Sequence, residues 1–293
     1  DVLVGTEQGV YVSLDNGNSW SMSNIGMPIT SVRQFAIDGD DIYAATGSGL
    51  FLSTNNGFTW SEIDVGVPSI MHVANIGSNI FVGTMDGIFL SQNGGTWIEY
   101  NNGITSPNSI IISLETVGNS IFCATSSDNG LYRSTYNNSV GAWTLVDNGL
   151  NGEAYSYTAQ NATYSLAAID ETIFLGSKLG VHKSNNNGSN WSSVGFGISN
   201  SVRDIIMIDS NIFCATGNGI YISSNGGESW SSIINGLPSN CSVSALANNG
   251  SILFAGTNSG LYTSSNDGNT WSLLSLANFR IGELTYVEDN LYA

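Results

Sequence analysis

All seven tryptophans of this 293-residue chain belong to one recurring phrase, and that repeat constrains the fold more than any other feature. The fullest copy carries Ser13, Asp15, Gly17 and Trp20. Four copies have Asn in place of the Asp: Ser53, Asn55, Gly57 and Trp60; Ser184, Asn186, Gly188 and Trp191; Ser223, Asn225, Gly227 and Trp230; Ser264, Asn266, Gly268 and Trp271. The copy from Ser91 to Trp97 is one residue short, and the stretch from Ser134 to Trp143 has lost the pattern. Upstream of each box, an apolar run leads through a small residue and Thr or Ser to a Gly and a second apolar run. This phrase starts at Val2, Ile42, Ile80, Ile121, Ile173, Ile212 and Leu253, giving spacings of 40, 38, 41, 52, 39 and 41 residues.

Within a repeat the apolar runs are short, rich in Ile, Val, Phe and Tyr, and bounded by Gly, Asn, Asp and Ser, which reads as short strands joined by tight turns. Four fit each repeat, as in Ser31 to Ile37, Ile42 to Thr46, Leu50 to Ser53 and Trp60 to Ile63. The second strand is apolar on both faces, as a sheet sandwiched between two others requires. The expectation is an all-β, seven-bladed β-propeller of four-stranded antiparallel blades over residues 1–293, with each box a hairpin between the third and fourth strands. In the box, Ser and Asp or Asn tie down the turn, Gly takes a positive φ, and Trp packs between blades. Aligning Arg280 to Val287 with the other inner strands makes the C-terminal stretch 280–293 close the ring. Asn290 to Ala293 then duplicates a phrase that Asp1 to Val4 already supply, so either one end peels away or the chain was cut from a longer array.

Composition narrows the partners. Six Lys and Arg oppose 23 Asp and Glu for a net charge of −17, so nucleic acid and anionic membrane surfaces are repelled. No apolar run is long enough to insert in a membrane as a helix. Scarce Lys, abundant Asn, Ser, Thr and Gly, three Cys in a large chain and a start at Asp1 without Met point to a trimmed extracellular or cell-surface product that does not rely on disulfides.

The boxes at Ser13, Ser53, Ser223 and Ser264, with the Gly-Leu-Pro phrase at Gly236 to Pro238, resemble the Asp-box (BNR-repeat) propeller superfamily across essentially the whole chain. The style is closest to bacterial surface repeat proteins and photosystem II assembly-factor-like propellers. That superfamily also includes sialidases, xyloglucanases and sortilin-type receptors, so the resemblance implies a fold and leaves the function open.

Candidate chemistry lies where the inner strands begin. The aligned position reads Arg33, Met71, Ile112, Tyr164, Arg203, Ser244 and Gly282, and Arg280 shares the strand face of Gly282. Three guanidiniums at one channel mouth suit a carboxylate ligand, and Tyr164 with Glu283 or Asp204 would complete a sialidase-like set. Against this, the Arg-Ile-Pro phrase of sialidases is missing, its nearest likeness being Arg280-Ile-Gly282 after the last box. The plainer reading pairs Arg33 and Arg203 with local carboxylates such as Asp38 and Asp204. A second candidate is the insertion from Gly149 to Ala162, where Glu153, Tyr155 and Tyr157 offer a contact loop. The Asp15 and Asn266 turns lack the downstream Glu of a calcium loop, so no metal or cofactor is expected. His72 and His182 read as isolated, Cys123 and Cys214 as core, and Cys241 as a loop thiol without a partner. The sequence therefore points to a non-enzymatic surface propeller that binds a protein or glycan. A carbohydrate-active enzyme and a structural module of a larger surface assembly are the alternatives.

Overall fold

A computed structural model describes residues 2–15, 17–105, 109–126, 130–136, 141–150, 165–169, 171–198, 201–275 and 279–286. These form seven four-stranded antiparallel sheets. Blade 2 shows the pattern: inner strand Val32–Asp38, then Asp41–Thr46, Gly49–Ser53 and outer strand Ser61–Ile63. The inner strands of blades 3 to 7 are Ile70–Ile76, Ile111–Val117, Leu166–Ile169, Val202–Ile208 and Val243–Asn248. Blade 1 takes its three outer strands from the N-terminus and its inner strand, Ile281–Tyr286, from the other end of the chain. That strand pairs antiparallel with Val2–Thr6, so the two ends of the chain share one sheet and the ring closes. Residues 290–293 lie outside the described residues.

Local chemistry explains the spacing of the repeat. The Thr or Ser ending each second strand turns its hydroxyl onto the carbonyl of the Gly opening the third: Thr46 to Gly49 at 2.8 Å, Thr216 to Gly219 at 2.9 Å, Thr257 to Gly260 at 2.7 Å. These hydroxyls are fully buried, so the bond satisfies a group that is costly to bury unpaired. In the box, Ser53 Oγ accepts the Gly57 amide at 2.9 Å and donates to Asn55 Oδ1 at 3.0 Å, which in turn accepts the Thr59 amide at 2.9 Å. The same three contacts recur at Ser13, Ser184, Ser223 and Ser264. Asp15 is thus committed to its own turn.

The box tryptophan joins one blade to the next. Trp60 donates its amide to Ile25 O and its indole N–H to Ser23 O of blade 1, both at 2.8 Å. Trp143 makes the same pair of bonds to Asn102 O and Tyr100 O, each at 2.7 Å. Trp191 bonds Asn148 O and Val146 O, and Trp271 bonds Asn235 O and Ile233 O. Trp230 lacks the amide bond among the described residues and shares its indole N–H between Val194 O at 2.8 Å and its own box's Gly227 O at 3.1 Å. The glycine in each clamped link must be bare: a Cβ on Gly26, Gly103, Gly149 or Gly236 would lie 1.9 to 2.2 Å from the Trp carbonyl oxygen. The stretch from Ser134 to Trp143, which had lost the sequence pattern, thus keeps the full clamp.

Trp97, in the shortened box, makes no hydrogen bond from its indole among the described residues. The outer strand of blade 3 starts at Trp97 itself, paired with Ser91, where the other strands start after the Trp. Ile63, which matches the indole acceptor Ser23, is drawn into the ladder opposite Leu50. A Trp60→Phe variant is therefore expected to lose about 1 to 2 kcal/mol of stability in urea unfolding, whereas Trp97→Phe should cost less than about 0.5 kcal/mol. Equal losses would show that the indole bonds do not hold the seams.

Candidate functional site

The aligned inner-strand position has a structural identity that the sequence did not reveal. Register slips by one residue at Val32/Gln34, Ile70/His72, Ile111/Ser113, Val202/Asp204, Val243/Ala245 and Gly5/Thr6. The residue left over on the inner strand is Arg33, Met71, Ile112, Arg203, Ser244 or Gly282, so this position is a β-bulge in six blades. A bulge re-aims side chains and delivers two consecutive residues toward one side of a strand. Arg33 with Gln34, Arg203 with Asp204, and Gly282 with Glu283 accordingly line one axial cavity of about 110 Å³, joined by His72, Glu115, Ser165 and Ser244. All seven inner strands or their leading residues contribute to it. Tyr164, Glu153, Tyr155 and Tyr157 lie outside the described residues.

The arginines do not pair as the plainer reading expected. Arg33 donates from one Nη to Ser69 Oγ and Ile70 O, each at 3.0 Å, and touches Met71 Sδ at 2.8 Å. Arg203 donates to Ser242 Oγ, and its buried Nε has no hydrogen-bond partner among the described residues. Each therefore reaches around the ring to the start of the next inner strand. Asp204 is taken up elsewhere, accepting from Ser165 Oγ at 2.8 Å, the Ile205 amide at 2.8 Å and the Leu246 amide at 2.7 Å. Arg280 is about half exposed and faces Glu7 at 3.8 Å, so it stands at the rim, near enough for its charge to add to the burial that lowers the pKa of Arg203.

Below the arginines the cavity is a crowd of carboxyls. Desolvation first, then the Asp204 charge, pushes Glu115 up to about 8 despite a hydrogen bond from Gln34. Glu283 is pushed well up by burial and by Asp204 and Glu115, and Asp204 is raised by burial against its three hydrogen bonds. Gln34 ties three blades together: its amide N–H donates to Glu115 Oε1 at 3.1 Å, and its carbonyl accepts from His72 Nδ1 at 3.0 Å. Burial and the nearby Arg33 lower His72 to about 4, so its ring is neutral.

His72 is thus part of the axial cluster and not isolated. Sequence reasoning missed it together with Gln34, Glu115 and Ser165. A signal was available one residue beyond the aligned position, where Gln34, His72, Ser113, Ser165, Asp204 and Glu283 are polar and Ala245 alone is not. His182 is buried with its ring 3.3 Å from Ser177 Oγ. Cys123, Cys214 and Cys241 are buried and reduced. Cys241 packs against Tyr262 and Trp271, and its thiol meets Thr257.

No protein-family model matches the sequence, and no curated protein matches it. Solved structures do match, at the level of the fold. The extracellular domain of BT4673 from B. thetaiotaomicron is 20% identical over 89% of this chain, with a TM-score of 0.67. YCF48 bound to D1 peptide is 15% identical over 89% of this chain and 87% of its own, with a TM-score of 0.66. An ancestral GH74 enzyme is 21% identical over 83% of this chain, with a TM-score of 0.61. The likeness is that of a propeller ring. The chain spans 36% of the BT4673 domain and 38% of the GH74 enzyme, and identities this low carry the fold alone.

The cluster makes stability depend on pH. Glu115 holds a proton in the folded protein up to about 8 but loses it near 4.5 once unfolded, so its stabilising share is complete below 4.5 and is lost as pH rises to 8. His72 acts oppositely, its share disappearing as pH falls from 6.5 to 4, so the two offset one another below 6.5. Between pH 6.5 and 8 Glu115 should contribute a loss of about 1 kcal/mol per pH unit, on top of a loss of the same sign from Glu283, and Glu115→Gln should reduce the wild-type slope by about that amount in urea titrations. An unchanged slope would mean that Glu115 is ionised throughout.

Proposed function

We propose that this ring is a non-enzymatic binding or scaffold module, displayed outside the cell, that holds an acidic group of a protein or glycan at the axial end bearing Arg33 and Arg203. The observation that carries this reading is that, in a chain of net charge −17, neither guanidinium has a carboxylate partner among the described residues. An arginine in an acidic protein gains most from an anion, and a buried Nε without an acceptor is a donor awaiting one. Neighbours of this fold are consistent with such a role: YCF48 was solved with a bound peptide, and the BT4673 domain is extracellular. Assignment to the Asp-box superfamily belongs to the same proposal, supported by the repeated Ser, Asp or Asn, and Gly bonds of the box turns.

A carbohydrate-active enzyme would use the same arginines with Asp204 and Glu283, whose raised pKa values suit acid catalysis. The cavity speaks against it. At about 110 Å³ it falls well below the roughly 300 Å³ at which small-molecule pockets begin, and Asp204 is fully engaged by its hydrogen bonds. A structural role within a longer surface chain remains compatible with the partial coverage of BT4673.

The test is a glycan array and a pull-down from the native surface, run with Arg33→Ala, Arg203→Ala and Arg280→Ala beside wild type and a fluorogenic sialoside assay. Arg33→Ala or Arg203→Ala should weaken binding at least about tenfold, the usual range for a charge-assisted contact. Arg280→Ala should change it little, and no turnover is expected. Binding indifferent to Arg33 and Arg203 would move the contact surface elsewhere.

A further inference from the structure

The seam between blades 2 and 3 is built differently from the clamped seams. It holds an open cleft of about 620 Å³, against about 500 and 360 Å³ at the seams of blades 4 with 5 and 5 with 6, lined by Tyr43, Leu52, Ile63, Val65, Ile80 and Trp97, with Gly94, Gly95 and Thr96 along one side. Three features accompany the shortened box. Ser91 Oγ bonds the Gly95 carbonyl at 2.8 Å, where its counterparts accept a glycine amide. A Cβ on Gly66 would meet nothing within 4 Å, as at Gly197 ahead of Trp230, whereas the matching Gly26, Gly103, Gly149 and Gly236 are pressed onto the next Trp. Gly94 also faces open space, while the box glycines Gly57, Gly188 and Gly268 would strike Leu3, Phe122 and Ile233. One missing residue has thus lifted this box off the preceding blade.

The walls and rim of the cleft differ in chemistry. Ile63, Val65, Ile80 and the faces of Tyr43 and Trp97 give it an apolar floor, and the Trp97 indole N–H has no acceptor among the described residues. Asp64 stands exposed at the rim, and no Lys or Arg lines the cleft. Asp41 and Asp38 are close enough to Tyr43 to push its phenol up, behind the contribution of burial. The surroundings are therefore uniformly acidic.

We propose that this seam is a docking site for a polypeptide segment that inserts one aromatic side chain between blades 2 and 3 and sets an adjacent Lys or Arg against Asp64. The clamped seams supply the argument for the aromatic residue, because there the equivalent space is closed by an indole set against the preceding blade. Charge complementarity supplies the argument for the basic neighbour. The acidic residues at Asp38, Asp41 and Asp64 attract a cation and disfavour an acidic segment. An aromatic anchor in a preformed apolar pocket with a charged rim is the usual anatomy of a binding hot spot. This site is separate from the arginines at the channel mouth, so its fate does not depend on theirs.

The experiment titrates the full chain with three capped pentapeptides, Gly-Lys-Trp-Lys-Gly, Gly-Lys-Ala-Lys-Gly and Gly-Glu-Trp-Glu-Gly, followed by amide chemical shifts. The first should bind saturably, with shifts concentrated around Tyr43, Asp64 and Gly94 to Trp97. The second and third should bind at least about tenfold more weakly, a difference of about 1.4 kcal/mol. Replacing Ser91 to Trp97 with the eight-residue box Ser53 to Trp60 should close the cleft and abolish binding. Should that graft fail to fold, Ile63→Trp fills the same space from the outer strand and should also abolish binding, while Asp64→Asn should weaken the first peptide about threefold. Equal binding of the Lys-Trp-Lys and Lys-Ala-Lys peptides, shifts elsewhere, or no binding of any peptide would overturn the proposal.

Discussion

Seven thin sheets make a stable ring only if each covers its neighbours on both faces, and here the joint is repeatedly made by one indole. The box turn holds its tryptophan at the base of the outer strand, and the indole reaches back across the seam to a backbone carbonyl of the preceding blade. Buried, that N–H would be costly unpaired, and in position it both satisfies itself and fixes the distance between blades. Apolar packing supplies the bulk of the driving force. At the first seam Leu3, Val12, Phe35, Ala44 and Phe51 surround Trp60 in one cluster. The hydrogen bonds decide which packed arrangement is adopted. Ring closure by the strand Ile281–Tyr286 then makes every seam dependent on the others.

The axis follows from the same economy of backbone. Inner strands that run side by side down a narrow channel cannot all present large side chains there, and a bulge near the start of each of six of them turns two residues at a time toward the centre or the next blade. Where those residues are Arg, the guanidinium reaches sideways to a neighbouring strand. Where carboxyls meet in that small cavity, burial first and then the neighbouring carboxylates raise the pKa of Glu115 and Glu283, which favours their neutral forms on the axis of an acidic protein.

Periodic features were legible in the sequence. Strand number, strand order, the box hairpins and the pairing of Ile281–Tyr286 with Val2–Thr6 follow from repeat spacing and the alternation of apolar runs with turn residues. What failed depended on geometry that a repeat alignment does not carry. The plainer of the two readings pairs Arg33 and Arg203 with Asp38 and Asp204, which lie close in sequence, but the bulge turns them toward Ser69 and Ser242. His72 and Glu115 looked unremarkable because their partners come from other blades. The boxes teach the same point. The copy ending at Trp143 lost its residues and kept its clamp, since the clamp needs only the backbone and the indole. The copy ending at Trp97 resembled its siblings closely and lost the clamp to one deletion.

The account turns on which indoles are bonded across seams, and exchange of the indole Nε1 protons with solvent deuterium, followed by NMR, tests it most directly. Trp60, Trp143, Trp191 and Trp271 should exchange slowly, as groups bonded within buried seams do, and Trp97 should exchange at close to the rate of a free indole. Slow exchange at Trp97, or fast exchange at the other four, would contradict the view that indole clamps hold this ring together and that one of its seams is open.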